Sequence, residues 1–164
     1  MDKNFIGQKR KKLYTEFISK FIPQNIKTYI EPFGGSFAVS TYLDNKPDTL
    51  IYNDINHYDI NIVADITHHL DYKVIFDMYD NADTVFFLDP PYFRKEKWYA
   101  GCENYTKDFH IELHDEIKKL KGKVILSYEK HKFILDLYKD LNVYEYDGTN
   151  YLFKKEMIIT NFYI

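Results

Sequence analysis

The chain has 164 residues, of which 45% are hydrophobic and 18% aromatic, and its net charge is −3. This length and apolar content predict a single domain, residues 1–164, with a buried core. The charge excludes a protein that attracts nucleic acid over its whole surface, so any such binding needs a local basic patch. The single cysteine excludes an intramolecular disulfide framework, and no apolar run approaches the ~20 residues of a membrane span. We therefore expect a soluble, cytoplasmic protein that has no membrane partner.

The first elements of the chain alternate between helix and strand. Apolar residues at helical spacing from Leu13 to Phe21 predict an amphipathic helix, which Pro23 ends. The basic run before it is either a solvated face or a contact for a partner. The segment Thr28–Glu31 predicts a strand, and the turn that follows contains two glycines, which let a backbone bend tightly and approach a ligand. The apolar pattern through Leu43 then predicts a helix.

Acidic residues end three successive predicted strands. Glu31 ends the first, Asp54 ends the second, and Asp65 ends the short apolar segment Ile60–Ala64. Asp54 lies 19 residues after Gly35, near the spacing at which dinucleotide-binding folds place the acidic residue that holds ribose hydroxyls. An aspartate at this position can instead be the N-cap of a helix. Three acidic residues in series favour a nucleoside-type cofactor along one edge of the sheet.

The stretch Thr84–Tyr92, TVFFLDPPY, predicts a buried strand with an abrupt end. The strand stops at Asp89, because Pro90 and Pro91 remove two backbone donors and fix φ. The corner that results carries one carboxylate, two carbonyls without regular partners and the ring of Tyr92. It suits a planar heterocycle with an exocyclic amine, since the oxygens accept N–H groups and the ring offers a stacking surface. The alternative is a strand and a Pro-Pro loop whose tyrosine fills the core.

The rest of the chain predicts further alternating elements and a terminal hairpin. Helices are predicted at 70–82, Lys107–Leu120 and 133–138, with a strand at Val124–Ser127 and strand-like segments at Val143–Tyr146, Tyr151–Phe153 and Met157–Phe162. This order indicates a mixed sheet. His110 and His114 lack the third ligand of a zinc site, and Cys102 lacks an adjacent base, so neither a metal site nor a cysteine nucleophile is predicted.

Three motifs in this order resemble those of the Dam-type DNA adenine-N6 methyltransferases, which use S-adenosylmethionine: Glu31-Pro-Phe-Gly-Gly-Ser, Asn53-Asp-Ile-Asn and Asp89-Pro-Pro-Tyr. Shorter similarities extend to Gly7-Gln-Lys9, to Tyr105, Phe109 and His114, and to Ser127-Tyr128. The resemblance implies an α/β, Rossmann-like S-adenosylmethionine methyltransferase fold. Its sheet would be mixed and mostly parallel, with a terminal antiparallel strand and helices on both faces.

The resemblance also implies a role for individual residues. At the cofactor it places Lys9, Glu31, Pro32, Phe33, Gly35, Ser36, Asp54 and Asp65. Asp54 would hold the ribose hydroxyls and Asp65 the adenine amine. At the target base it places Asp89, Pro90, Pro91 and Tyr92, with the Asp89 carboxylate and the Pro90 carbonyl accepting from the N6 amine and Tyr92 stacked on the base.

Basic and aromatic side chains near the catalytic corner are candidates for nucleic-acid contacts. They are Arg10, Arg94, Lys95, Lys97, Trp98 and Tyr105. Interleaved cations and rings can follow a phosphate backbone and stack on bases. The alternative is a solvated loop.

The chain departs from the family pattern at two places. Phe37 stands where the family's loop usually has a second glycine, and only 23 residues separate Asp65 from Asp89, where the family commonly inserts a target-recognition region. The protein would then be non-specific, act on single strands, or take its recognition from a specificity partner or a homodimer. Two alternatives to DNA methylation stay open: adenine-N6 methylation of RNA, and an inactive or partner-dependent binding subunit.

Overall fold

The computed structural model describes residues 9–99 and 105–164, so Gly7 and Cys102 lie outside the described part of the chain. Seven strands are described: β1 (Thr28–Glu31), β2 (Thr49–Asn53), β3 (Ile66–His68), β4 (Thr84–Leu88), β5 (Lys123–Glu129), β6 (Asn142–Glu145) and β7 (Glu156–Thr160). The α-helices are α1 (Lys11–Glu16), α2 (Tyr72–Tyr79), α3 (Lys107–Ile117) and α4 (Lys132–Leu137). Short 3₁₀ turns lie at Ile18–Phe21, Ser40–Tyr42, Glu96–Trp98 and Tyr151–Phe153.

The strands form one sheet in the order β3-β2-β1-β4-β5-β7-β6. Strands β1 to β5 are parallel, whereas β7 is antiparallel to both β5 and β6. The predicted mixed, mostly parallel sheet with a reversed terminal strand is therefore confirmed. Because β7 runs against the others, its first residue, Glu156, pairs with Glu129 at the end of β5. The start of β7 thus lies at the edge where the parallel strands end.

Helices cover both faces of the sheet, as expected from a Rossmann-like fold. The alternation of side chains along β4 shows the two layers, since Val85 and Phe87 pack with α1 whereas Phe86 and Leu88 pack with α2, α3 and α4. All five residues of β4 are buried, which confirms the predicted central strand.

Two predicted helices are shorter than their apolar patterns. The first is divided, because Phe17 leaves the helical region (φ −137°, ψ −60°) after α1 and only a 3₁₀ turn follows. The helix predicted through Leu43 is one 3₁₀ turn, Ser40–Tyr42. There the hydroxyl of Ser40 donates to the Phe37 carbonyl and that of Thr41 to the Ala38 carbonyl, so side chains satisfy the carbonyls locally.

Two predicted strands are wrong. Ile60–Ala64 is irregular, and Val63 within it is 75% exposed, so this apolar run does not enter the core. The third strand begins after Asp65, which lies at the start of β3 and accepts from the Leu50 amide (2.7 Å) near the start of β2. Asp65 therefore lies at the sheet edge opposite to the predicted one. Tyr151–Phe153 is a 3₁₀ turn rather than a strand, because the Asn150 side chain accepts from the Leu152 amide and caps it.

Candidate active site

A cavity open to solvent, with about 730 Å³ of empty space, lies at the carboxyl ends of β1, β2 and β4. Predicted site residues that line it are Lys9, Glu31, Phe33, Gly35, Ser36, Asp54, Asp89, Pro91 and Tyr105. Residues that the sequence did not single out as site residues also line it, among them Gly34, Ile55, Asn56, Tyr58 and Tyr99. Pro32, Pro90, Tyr92 and Asp65 are not in its wall.

The glycine turn crosses directly over the end of β2. The Gly34 amide donates to the Asn53 carbonyl (2.8 Å), and a Cβ at Gly34 would lie 2.4 Å from the Tyr52 ring. Gly35 has φ +48° and open space around its Cβ position. Gly34 is thus required by close packing and Gly35 by backbone conformation.

Asp54 ties this turn to β2. Its Oδ2 accepts from the Gly35 amide and its Oδ1 from the Asn56 amide, both at 2.9 Å. Burial raises the pKa of the Asp54 carboxyl, and the two amide donors oppose that rise. No helix begins here, so the alternative of a helix N-cap is wrong.

Phe37, at the position of the family's second glycine, has a left-handed backbone (φ +56°). Its side chain is 2% exposed and meets the Tyr52 ring edge-on, with centroids 5.2 Å apart. Phe37 is not in the cavity wall. The large side chain therefore strains the backbone, at a cost on the order of 1 kcal/mol, without narrowing the cavity.

Glu31 is a buried carboxyl in the cavity wall. Its Oε1 accepts from the Ser40 amide (2.8 Å) and the Tyr29 hydroxyl (3.2 Å). Burial raises the pKa of Glu31 to about 8, because these hydrogen bonds oppose the desolvation only in part. Glu31 is consequently mostly protonated at neutral pH.

Asp89 forms a buried ion pair with Lys9. The Lys9 ammonium lies 2.8 Å from Asp89 Oδ1, and the two side chains are 6% and 21% exposed. Burial raises the pKa of Asp89 to about 6, and the charge of Lys9 opposes a larger rise. Burial lowers the pKa of Lys9, but Asp89, Tyr92 and Glu156 together more than offset this, and the net pKa is well above its ordinary value. At neutral pH the corner therefore holds a carboxylate that can accept N–H groups.

Tyr92 is anchored by its hydroxyl. The hydroxyl accepts from Lys9 Nζ (2.5 Å), donates to Glu156 Oε2 (3.0 Å) and lies 3.3 Å from Ser127 Oγ. The residue is 8% exposed, and its ring lies 5.9 Å from that of Tyr128. For Tyr92 the structure thus favours the alternative in which the tyrosine fills the core. Stacking of a base on this ring would require the ring to be uncovered.

The family model described as D12 class N6 adenine-specific DNA methyltransferase matches residues 5–71 and 64–151. The chain belongs to this family. The matched segments include the glycine turn, Asp54 and the Asp89–Tyr92 corner, and no curated protein matches the chain. The protein is an adenine-specific DNA methyltransferase whose substrate is DNA, and methyltransferases of this kind generally use S-adenosylmethionine.

The segment that follows the corner, residues 94–98, is connected to α3 and β5 by buried polar contacts. His110 places Nε2 2.9 Å from Glu96 Oε1 and Nδ1 2.7 Å from the Tyr128 hydroxyl. A carboxylate only accepts, so Nε2 carries the proton and Nδ1 accepts from Tyr128. Burial lowers the pKa of His110, which keeps the ring neutral. Arg94, at φ +70°, donates its amide to the same Glu96 oxygen.

The candidates for nucleic-acid contact differ in their surroundings. Arg10, Arg94, Lys97 and Trp98 are exposed. Lys95 is paired with Glu129, and Tyr105 stacks on Phe109 (4.1 Å, 23°). The exposed cations suit contacts to phosphates, whereas Tyr105 belongs to the cavity wall.

The surroundings of His114 bear on the prediction that the helix with His110 and His114 holds no metal site. His114 lies 3.0 Å from an oxygen of Asp140, on the loop after α4, and packs on Tyr138. Within 9–99 and 105–164, no cluster of three or more His, Cys, Asp or Glu side chains could hold a metal ion. In the same ranges, no helix has the length and apolar character needed to cross a bilayer.

Proposed function

We propose that this methyltransferase transfers a methyl group from S-adenosylmethionine to the N6 amine of adenine in DNA, within one domain that spans residues 1–164. The observation that carries the proposal is that the Asp89 carboxylate, paired with Lys9, opens into the same cavity as the glycine turn and Asp54. Cofactor and target amine would then meet at the ends of β1, β2 and β4.

The chemistry of the cavity wall fits the cofactor. S-adenosylmethionine, when bound, supplies an electrophilic methyl group on a positively charged sulfonium. The carboxylates of Asp54 and Asp89 face the cavity and favour a cationic ligand, whereas Glu31, which is mostly protonated at neutral pH, adds a polar group without charge. Asp54 would accept from the ribose hydroxyls, and Lys9, Phe33, Gly35 and Ser36 would surround the rest of the cofactor, whereas Pro32 lies outside the cavity wall. Asp65, at the opposite sheet edge, has no place in this site.

The Asp89 corner would make the amine nucleophilic. The lone pair of the adenine amine is delocalised into the ring. Hydrogen bonds from N6–H to the Asp89 carboxylate and the Pro90 carbonyl favour the pyramidal geometry in which the lone pair becomes available. Pro91 and the fixed φ of both prolines would hold this geometry, so orientation and electrostatics supply most of the gain in rate.

The target base must leave the duplex to reach the corner. Flipping costs a few kcal/mol, and stacking on an aromatic ring returns about 1–3 kcal/mol. Tyr92 would supply that ring if the base uncovers it, and Tyr99 and Tyr105 line the cavity already. Arg10, Arg94, Lys95, Lys97 and Trp98 would contact the strand.

Between Asp65 and Asp89 the structure holds only β3, α2, β4 and short connections. Target choice would therefore come from the exposed segment 94–98, from a specificity partner or from a second copy of the chain. The position of Phe37 outside the cavity wall argues against one of the two reasons for an inactive binding subunit, and the short segment between Asp65 and Asp89 is the other.

The test is transfer of radiolabelled methyl from S-adenosylmethionine to double-stranded DNA, single-stranded DNA and RNA, each with and without adenine. We expect label only in adenine-containing DNA, and none with Asp89→Ala. The matched control is Asp136→Ala, at an exposed aspartate on α4, which should keep wild-type activity. Label in RNA alone would replace the proposed substrate, and cofactor binding without any transfer would support the partner-dependent subunit.

A further inference from the structure

Glu156 is a carboxylate at the catalytic corner that comes from a distant part of the chain. It is the first residue of β7, and the reversed direction of that strand brings it to the edge where the parallel strands end. Along β7 its side chain shares a face with Ile158, which packs in the α1 layer. Ser127 on β5 shares that face with Ile125, and Lys9 lies two residues before α1.

The hydroxyl of Tyr92 has a defined pattern of hydrogen bonds. A phenol has one proton to donate, and the carboxylate of Glu156, which only accepts, takes it at 3.0 Å. The oxygen then accepts from Lys9 Nζ at 2.5 Å, and from the Ser127 hydroxyl at 3.3 Å. Glu156 thus fixes the direction of the proton, which leaves the phenol oxygen turned towards the ammonium.

Lys9 is consequently held from two sides. One of its N–H groups points to the Tyr92 oxygen and another to Asp89 Oδ1 at 2.8 Å. The order of contacts is Glu156, Tyr92, Lys9, Asp89. A change at Glu156 can therefore reach the carboxylate that would hold the target amine, although Glu156 itself is absent from the cavity wall.

We propose that Glu156 is a positioning residue for methyl transfer, which acts through Tyr92 and Lys9 to set the orientation and charge of Asp89. This inference rests on the proposed function. The groups that act on the Asp89 charge are Lys9, Glu156 and Tyr92, and Glu31 lies near enough to interact with it. Burial is the main reason that the pKa of Asp89 is raised, and the negative charge of Glu156 adds to that rise.

The test compares Glu156→Gln and Glu156→Ala with wild type, at saturating S-adenosylmethionine and across pH. Glutamine keeps an acceptor for Tyr92 but removes the charge, whereas alanine removes both. We expect Glu156→Ala to lower kcat by roughly 10- to 100-fold, because the Lys9–Asp89 geometry loosens, with cofactor affinity changed less than kcat. Glu156→Gln should keep more of the activity. In Glu156→Gln the acid limb of the pH–rate profile should move to lower pH, because the charge that raises the pKa of Asp89 is gone while the acceptor for Tyr92 is kept.

The control is Glu145→Gln, at an exposed glutamate on β6 that pairs with Lys130. It should leave kcat and the pH profile unchanged, and thermal unfolding shows whether each variant is folded. If wild type is active and the acid limb of folded Glu156→Gln coincides with that of wild type, this inference is overturned while the proposed function stands. A wild type that binds S-adenosylmethionine and transfers no methyl to DNA would overturn the proposed function and this inference with it.

Discussion

Replacing Lys9 by methionine should move the pH dependence of catalysis by removing the countercharge of Asp89. The two side chains are buried and their charged atoms lie 2.8 Å apart. At an effective dielectric constant of about 20, one charge pair at this distance interacts by about 6 kcal/mol. Removal of the Lys9 charge could therefore raise the pKa of Asp89 by at most about four. Half of that effect would raise the pKa of Asp89 from about 6 to about 8.

The expected loss of activity follows from the ionised fraction of Asp89. With a pKa of about 6, roughly 90% of the carboxyl is charged at pH 7. With a pKa of about 8, roughly 10% is charged, so kcat/KM at pH 7 should fall about tenfold. The carboxylate returns as the pH rises, and most of this loss should be recovered near pH 9.

The assay is the pH profile of kcat/KM for DNA at saturating S-adenosylmethionine, measured for wild type, Lys9→Met and Lys9→Arg. Arginine keeps the charge, so its acid limb should stay near that of wild type. If the acid limb of Lys9→Met coincides with that of wild type, Lys9 does not control the charge of the Asp89 carboxylate during the reaction.

Three further changes test other parts of the site. Asp54→Ala removes the acceptor that ties the glycine turn to β2. Calorimetry should therefore show that the affinity for S-adenosylmethionine falls at least about tenfold, which corresponds to about 1.4 kcal/mol of binding free energy. Unchanged affinity would show that Asp54 does not contribute to cofactor binding. Gly34→Ala should lower the free energy of unfolding in urea by about 1–3 kcal/mol, because the new methyl group clashes with the Tyr52 ring. Gly35→Ala should lower it by only about 1 kcal/mol, because the site has open space and only the left-handed backbone is strained. Equal losses in the two variants would show that close packing does not require Gly34. Burial lowers the pKa of His110, so between the two pKa values the unfolded chain binds a proton that the folded chain does not bind, and wild-type stability should fall as the pH drops through 6.5. Urea titrations at pH 7 and pH 5 should show a smaller fall in the unfolding free energy for His110→Gln than for wild type. An equal fall in both proteins would contradict this.

The sequence was sufficient to predict the strand and the corner at which we propose that the reaction takes place. A buried run that two prolines end has few alternative conformations, and Asp89 lies where that pattern places it. Glu31 and Asp54 were also predicted at the correct edge, because each directly follows or ends a strand of at least four residues. The prediction failed at Asp65, since β3 has only three residues and the apolar run before it is exposed.

The contacts around Tyr92 could not be predicted from local patterns. Glu156 follows two lysines and begins a strand, and nothing in its neighbourhood distinguishes it from a solvated glutamate. Only the reversed direction of β7, a property of the whole sheet, brings it to the Tyr92 hydroxyl. The predicted terminal hairpin was the one available signal, because a reversed strand begins where its parallel neighbours end. The hydrogen bonds that hold the Tyr92 hydroxyl likewise depend on Lys9, Ser127 and Glu156 together.

Adenine-N6 methylation at the Asp89 corner is tested most directly by digesting DNA that has been incubated with the purified protein and S-adenosylmethionine, and quantifying N6-methyldeoxyadenosine by mass spectrometry. We expect this nucleoside to accumulate with wild type and to be absent with Asp89→Ala, which should still bind the cofactor. Accumulation that persists in Asp89→Ala, or methylation of a base other than adenine, would contradict the assignment of the Asp89 corner as the site of adenine-N6 methyl transfer.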